Sequence, residues 1–536
     1  MSFVPNDNQQ ISLFDTLAFM SERKQRILEK SWAKAFSEHI FTKIDEHIFM
    51  PLYSEKTNSR PNAPINVIVG ALILKDFTGL TDDEILEECE FDLRYQYALH
   101  TTCFEDQPLS DRTFSRFRAR CAAYELTTGK DLIHECFVSL AEELRVFMDI
   151  APNVKRMDSM MIESNIRKMG RLELLYTCLA NLVQAIHKNG GNDLLEGLEH
   201  YWDPNDRNKV IYHDKEAPQS EKLQEIIDDA CELLPKCEEE YGNTADYQLL
   251  ERAINEQTKP SDDGGNIPKT KDDDMDSSVM QNPSDPDATY RKKAGRQHRG
   301  YSANLTETVS ENGSVITDYQ YDTNNRSDND YLREFIENTD HSEECMTIYA
   351  DGAYSSKELQ EQAGEKNIEI ITTDLIGRKP RAILSEFNLT EDKHGVVTCP
   401  AGKVPKSSSY NKSNNMIRIS FYREQCEYCP NREACLADLK VRTAVVHISL
   451  DSLERAKNIA EQREKYDHTL AARIRNGVET VPSLLRNKYQ ADNMPVRGKI
   501  QTKHRFGFKV FAANFSKLLR HINGQQICRA FEPKTV

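Results

Sequence analysis

The 536-residue sequence holds no apolar run approaching the ~20 residues a membrane-spanning helix needs. Its first residues, MSFVPNDNQQ, are polar and lack the basic-then-apolar pattern of a secretory signal. These two absences predict a cytoplasmic protein with no membrane partner. There is no internal repeat, and no histidine stands at metal-ligand spacing from another. Nor is there a basic excess: the net charge is −17, which on its face argues against a nucleic-acid partner.

What is present is unevenly placed. Residues 196–290 carry 25 Asp/Glu against 9 Lys/Arg, a net of −16, so the rest of the chain sits near −1. From Leu484 to His521 there are 9 Lys/Arg and one acid, Asp492, a net of +8. The local charge therefore reopens the nucleic-acid reading that the global charge closes. One role for the acidic stretch would be to restrain that basic surface. Of 13 cysteines, Cys89, Cys121, Cys136 and Cys178 stand singly in apolar patterns and read as small core residues.

Residues 10–150 read as helical. INVIVGALILKD (65–76) is apolar nearly all round, as a buried helix is, with Pro64 at its start. LTDDEILEECEFD (80–92) offers Thr81 as a cap and acids in the first turn. In LSDRTFSRFRARC (109–121), Ser110 or Asp111 would cap, and Arg112, Arg116 and Arg120 would share one face. Strands are expected at 153–165, 345–351 and 367–374, and a hairpin at 302–322 turning at Glu311-Asn312-Gly313. Helices are expected at 171–189, near 219–258, and at 451–488. Residues 259–290, rich in Asp, Ser, Pro and Gly, read as a flexible linker. The sum is a mixed α/β (α+β) chain.

Three acids draw attention. Asp158 (RMDSMMIES) and Asp351 (MTIYADGAY) fall in strand-like apolar runs, and Glu479 (ARIRNGVETVPSLLR) on a helical pattern. Carboxylates in such settings are desolvated unless a cation meets them. Mg²⁺ or Mn²⁺ held by oxygen ligands is the usual remedy, and two such ions serve in-line phosphoryl transfer. Taken singly each has a plainer reading: Asp351-Gly352 is a turn dipeptide, and Arg475–Glu479 is an exposed i,i+4 pair. A second signal is Cys399 with Cys426, Cys429 and Cys435 (QCEYCPNREAC), four thiols with a CxxC pair that suit structural Zn²⁺. The basic tail interleaves cations with Tyr489, Phe506 and Phe508, as in contacts to phosphates and bases, or as in a helix with a core face.

The order of these features resembles the DDE transposases of bacterial insertion sequences. The likeness runs through SRPNAPINVIVGALILKDFTGLTDDEILEECEFDLRYQYAL to PLSDRTFSRFR, which resembles an InsH-type helical domain, then RKKAGRQHRGYSANLT, IYADGAY, RNGVE and NFSKLLRH. It implies a ribonuclease-H-like core in which Asp158, Asp351 and Glu479 hold two Mg²⁺ ions. It also implies double-stranded DNA as partner (terminal inverted repeats and target), a homo-oligomer on that DNA, and a nucleoid-associated place in a bacterial cytoplasm. Arg475, four before Glu479, and Arg486, seven after it, match the family's helical motif, while Ala472 stands where a tyrosine is expected and Pro482 should break the helix. The implied DNA contacts are Arg475, Arg486, Lys488, Arg112, Arg116, Arg120, Lys503 and Arg505.

The expected organisation is a helical DNA-binding domain (1–150), core strands in 151–170 and 291–380, a helical and acidic insertion (171–290), a Cys₄ insertion (381–445) and a catalytic helix with basic tail (446–536). The expected activity is Mg²⁺-dependent cleavage at element ends and strand transfer. A ribonuclease-H-like nuclease without strand transfer, or a non-catalytic DNA-binding protein, would share much of this pattern.

Overall fold

The apolar run at 65–76 becomes helix α1 (Ile65–Thr78), buried at every position from Ile65 to Lys75. The computed structural model describes all residues except 7–14, 55–59, 104–108, 111, 204, 214–217, 262–263, 271–275, 294, 342, 352–353, 355–356, 373–379, 413–414, 466–469, 471–472, 475–476, 478–479 and 525–536, and the side chains of 455, 458–459 and 461–465. Helix α2 (Asp82–Phe91) starts at Thr81 in a reciprocal capping box. The Glu84 amide donates to Thr81 Oγ1 (3.2 Å), and the Thr81 amide donates to Glu84 Oε2 (2.8 Å). Helix α3 (Thr113–Thr128) departs from expectation, because Arg112 occupies its N-cap position and makes no side-chain cap; Asp111 lies outside the described residues. Ser110 instead donates its amide to Thr113 Oγ1 (2.9 Å). Helix α4 (Leu132–Phe147) is capped by Asp131, whose Oδ1 accepts from the Ile133 and His134 amides, both at 3.0 Å.

The chain divides into two compact units: residues 1–152, 157–334 and 478–528 in the first, and 153–156, 335–477 and 529–536 in the second. This division differs from the five segments read from the sequence, since the acidic insertion and the tail join the helical domain in the first unit.

In the first unit, strand β1 (Val154–Glu163), from Met157 onward, runs beside the long strand β3 (Arg296–Ser310). On its other edge β3 pairs antiparallel with β2 (Thr289–Lys293) and then with β4 (Gly313–Thr323), turning where the sequence places it. The insertion has its own apolar core, in which Leu175 and Leu179 of α5 (Arg171–Lys188), Ile227 of α6 (Gln219–Tyr241) and Leu250 of α7 (Ala245–Gln257) are buried.

Residues 276–290 are not the free linker expected. Arg252 of α7 donates to the carbonyls of Pro286 (2.9 Å) and Ser278 (3.2 Å), and the Met280 amide donates to Glu256 (2.7 Å). Asp285 is fully buried and accepts from the Tyr301 hydroxyl (2.5 Å), the Gly498 amide (2.9 Å) and the Ser164 hydroxyl. The segment carries no hydrophobic period because buried polar bonds, rather than an apolar face, hold it.

Helices α9 (Thr480–Asn487) and α10 (Lys499–Ile522) close this unit. Pro482 is the third residue of α9 as described and is buried within it. Helix α10 is a core helix: Phe515 meets Phe36 and Phe77 edge-on, and Phe506 meets Tyr319. Gly507 lets it approach β4, since a Cβ there would lie 2.5 Å from the Tyr319 hydroxyl.

In the second unit, the first residues of β1 pair parallel with β5 (Met346–Ala350), Arg156 opposite Tyr349, and β5 pairs parallel with β6 (Ile368–Thr372). A separate antiparallel sheet follows, in the order β7 (Ser407–Asn411), β8 (Met416–Tyr422), β10 (Thr443–Ser449) and β9 (Asp438–Leu439), over a core running from Leu384 to Ala456. Helix α8 (Leu450–Lys465) opens the stretch expected to be helical at 451–488, and of the residues that follow, 470, 473–474, 477 and 480–487 are helical, the rest of 466–479 lying outside the described residues. Among the described residues, no helix is long and apolar enough to cross a membrane.

Candidate functional site

Asp158 sits within β1, half-buried, its Oδ1 accepting the Ser159 amide at 2.9 Å. Asp351 stands one residue beyond the end of β5, also half-buried, its carbonyl accepting the Tyr354 amide at 2.9 Å. Asp158 is the less enclosed position in an otherwise buried run: Arg156, Met157, Ser159, Met160, Met161 and Ile162 are all buried. Glu479 and Arg475 lie outside the described residues. Glu461, Glu464 and Asp467, upstream on the same helical pattern, are alternative candidates for the third acid; the first two fall in α8 and Asp467 lies outside the described residues.

A residue the sequence reading passed over sits two before Asp158. Arg156 is only 2% exposed, and its Nη1 donates to the Ile474 carbonyl at 2.9 Å. A Cβ on Gly477 would lie 1.9 Å from that same nitrogen. The glycine of the RNGVE run is thus explained by contact: the guanidinium occupies the volume a side chain would need. A buried cation two places from a candidate acid on one strand was the available signal.

The four cysteines all lie in the second unit, near enough to influence one another, but they are not among the groups whose donor atoms lie within 4.8 Å of one another. Cys426 lies in a short helical turn (Arg423–Glu427), with the Cys429 amide donating to the Cys426 carbonyl (3.2 Å). Cys399 opens a tight turn closed by the Gly402 amide on its carbonyl (2.8 Å). Burial first, then the neighbouring thiols Cys399 and Cys429, push the Cys435 thiol up to about 11. Burial and the same kind of crowding, from Cys429 and Cys399, raise Cys426. All four are free thiols.

Comparison with known families follows this geometry. A family model described as a transposase DDE domain matches residues 398–519, and one described as a transposase domain (DUF772) matches residues 22–120. Together the two matches indicate a DDE transposase of insertion-sequence type. No curated protein and no solved structure matches the chain. The DDE match takes in the four cysteines and Glu479 and stops short of Asp158 and Asp351. The matches support a transposase function in general; that family implies DNA binding and generally uses a divalent metal.

The basic tail of this transposase is corrected by the structure. Lys503 pairs with Glu125 and, at 3.0 Å, with Asp131; Arg505 reaches Asp82 at 3.9 Å; Lys488 donates to Ser516 Oγ (2.9 Å) with its ammonium 4.8 Å over the Phe77 ring. Three further lysines behave alike: Lys499 pairs with Asp322 (2.5 Å), Lys509 with Asp76 (3.4 Å), and the buried Lys517 with the buried Glu307. Lys503 and Arg505 are thus engaged by acids of the first unit, while the exposed Lys488 meets a hydroxyl and a ring and no acid. Among the described residues, the acidic partners of the tail come from α1 to α4 and the β3–β4 hairpin, and none lies in 196–290. Arg486 is exposed at the end of α9.

Among the described residues, Glu125, Asp131 and His504 are the group whose potential metal-donor atoms all lie within 4.8 Å of one another. Burial alone would raise the Asp131 carboxyl and lower the Lys503 ammonium. Their mutual attraction outweighs it, so Asp131 is held below, and Lys503 above, its ordinary value. The ammonium already supplies the cation that a metal would bring. The cluster is a structural ion network joining the α3–α4 turn to α10.

Proposed function

We propose that this transposase cuts DNA at the ends of its element and transfers the cut strand into target DNA. Asp158, Asp351 and Glu479 would hold two Mg²⁺ or Mn²⁺ ions. Their carboxylate oxygens are the hard donors such ions prefer. When bound, the ions supply Lewis acidity to the attacking and leaving oxygens of phosphoryl transfer. The observation that carries this reading is the transposase DDE match at 398–519, in a chain whose two aspartates stand on strands β1 and at the end of β5.

A ribonuclease-H-like core finds support in strands of the right senses: β5 parallel to β1, β6 parallel to β5, and the antiparallel β3–β4 hairpin. Arg156 is a positioning residue in this reading, held against Gly477, two residues before Glu479. Arg475 and Arg486 would orient phosphates, Arg486 from its exposed place. The cysteine set Cys399, Cys426, Cys429 and Cys435 would hold structural Zn²⁺ as thiolates.

Cleavage of duplexes bearing the element's ends, in Mg²⁺, tests the proposal. Changing an outer partner of a metal ligand already costs 10–100-fold, so Asp158→Asn should lower cleavage by more than about 100-fold. Unchanged cleavage overturns the assignment. Pre-cut ends that never join to target reduce the protein to a nuclease, and binding without any cleavage reduces it to a DNA-binding protein. Metal analysis of purified protein should find about one Zn²⁺ per chain, falling towards none in Cys426→Ser/Cys429→Ser.

A further inference from the structure

An open cleft of about 430 Å³ lies within the helical domain of the first unit, between the loop before α1 and the start of α3. Three of its lining residues are arginines: Arg60, Arg116 and Arg120. They come from two places in the sequence, so no single helical face predicts the set. No carboxylate is among the described residues that line it. Among the described residues, none of the three forms an ion pair, in contrast to Arg118 on the same helix, which is bidentate to Asp82 (2.5 and 2.9 Å). The nearby Glu46 is turned away to the amides of Asn6 (2.8 Å) and Ile65 (3.0 Å).

The three guanidiniums stay charged at any working pH, and like charges gathered with no counter-ion among the described residues suit an anion. Arg120 is held ready: its guanidinium carbon sits 4.9 Å over the Tyr53 ring and Nη2 donates to the Met1 thioether at 3.4 Å, neither partner bringing a charge. Thr113 and Ser110 add hydroxyls at the mouth, and Ile68 and Phe117 supply an apolar floor. The volume falls in the range of small-molecule sites and exceeds what a lone phosphate needs. Forked donors for a phosphate, beside an apolar floor for a sugar or base, match a nucleotide.

We propose that Arg60, Arg116 and Arg120 form a nucleotide-phosphate site, which takes a phosphodiester of a DNA strand with its attached sugar and base in the cleft. The shared chemistry is a nucleotide phosphate. The choice of a DNA strand over a free nucleotide rests on the transposase reading above.

Binding is measured with the full chain in EDTA, so that a failure of metal chemistry cannot imitate a failure of this site. Fluorescence anisotropy with a labelled 20-nucleotide strand and its duplex, across a salt series, compares two double variants that remove equal charge. Arg116→Gln/Arg120→Gln alters the cleft; Lys24→Gln/Lys130→Gln alters exposed cations outside it. The cleft variant should weaken DNA binding about tenfold and lower the salt slope by about 2. The control should change affinity less than about twofold. Equal losses in both overturn the proposal, since they describe a diffuse field.

Phenylglyoxal labelling of the unmutated protein, read by mass spectrometry, guards against misfolded variants. DNA should protect Arg60, Arg116 and Arg120 and leave Arg112 reactive. Protection by thymidine 5′-monophosphate as well as by DNA upholds the phosphate site and moves its source to free nucleotides. Protection by neither overturns it. If these arginines are protected while Asp158→Asn leaves cleavage untouched, the site stands and the catalytic assignment falls.

Discussion

Two arginine- and lysine-rich regions look alike in the sequence and differ in the fold. Helix α10 presents its cations to acids: Lys503 to Glu125 and Asp131, Lys509 to Asp76, Lys517 to Glu307. The cleft presents Arg60, Arg116 and Arg120 to no acid among the described residues. Cation density alone therefore says little about where DNA binds. What matters is whether a cation's partner is already inside the protein, because a paired and buried cation would have to leave its partner bare to reach a phosphate.

The comparison is most exposed at Lys517. Its side chain is 5% exposed and that of Glu307 is not exposed at all, so Lys517→Ala strands a buried carboxylate. The expected cost is about 3–5 kcal/mol in urea unfolding, with Lys517→Met/Glu307→Leu recovering most of it. A loss near zero would mean that α10 is not the internal helix described. Next comes Lys503→Met, expected to cost about 2–3 kcal/mol while leaving DNA affinity of the folded protein within twofold. A folded Lys503→Met protein that loses DNA binding would erase the distinction between the two regions.

The smallest effect is a pH response. Burial would raise the Asp82 carboxyl, but the Arg118 fork, then Lys75 and Arg505, hold it at about 2 against an ordinary 3.8. A depressed carboxyl contributes stability above its unfolded value and loses it as pH falls through its folded one. The unfolding midpoint should therefore decline between about pH 4 and 2, less so in Asp82→Asn. The arginine cleft has no carboxylate in its described lining to titrate over that window. Parallel decline in the wild type and Asp82→Asn would remove this pairing as a source of stability.

The helices with strong local signals were legible from residues alone: the Thr81 capping box, the all-apolar α1, and the hairpin turning before Gly313. Strand positions for Asp158 and at the end of β5 for Asp351 were legible too, because a short apolar run is a local pattern. Asp285 was not, since its partners Tyr301, Ser164 and Gly498 are distant in sequence and leave no trace in composition. The fate of the basic tail was hidden for the same reason: Lys503 and Glu125 are 378 residues apart. Arg112, Arg116 and Arg120 read as one face, yet Arg112 sits at the N-cap position of α3, outside the cleft, while the other two join Arg60, from a loop before α1.

The contact between Arg156 and Gly477 has a genetic consequence. With a would-be Cβ at 1.9 Å from Nη1, position 477 has no clearance, and the guanidinium cannot swing away without giving up the Ile474 carbonyl. Residues 156 and 477 are then one heritable unit, although 320 positions lie between them in the reading frame. A selection for second-site revertants of Gly477→Ala should return shortened side chains at position 156 before changes anywhere else.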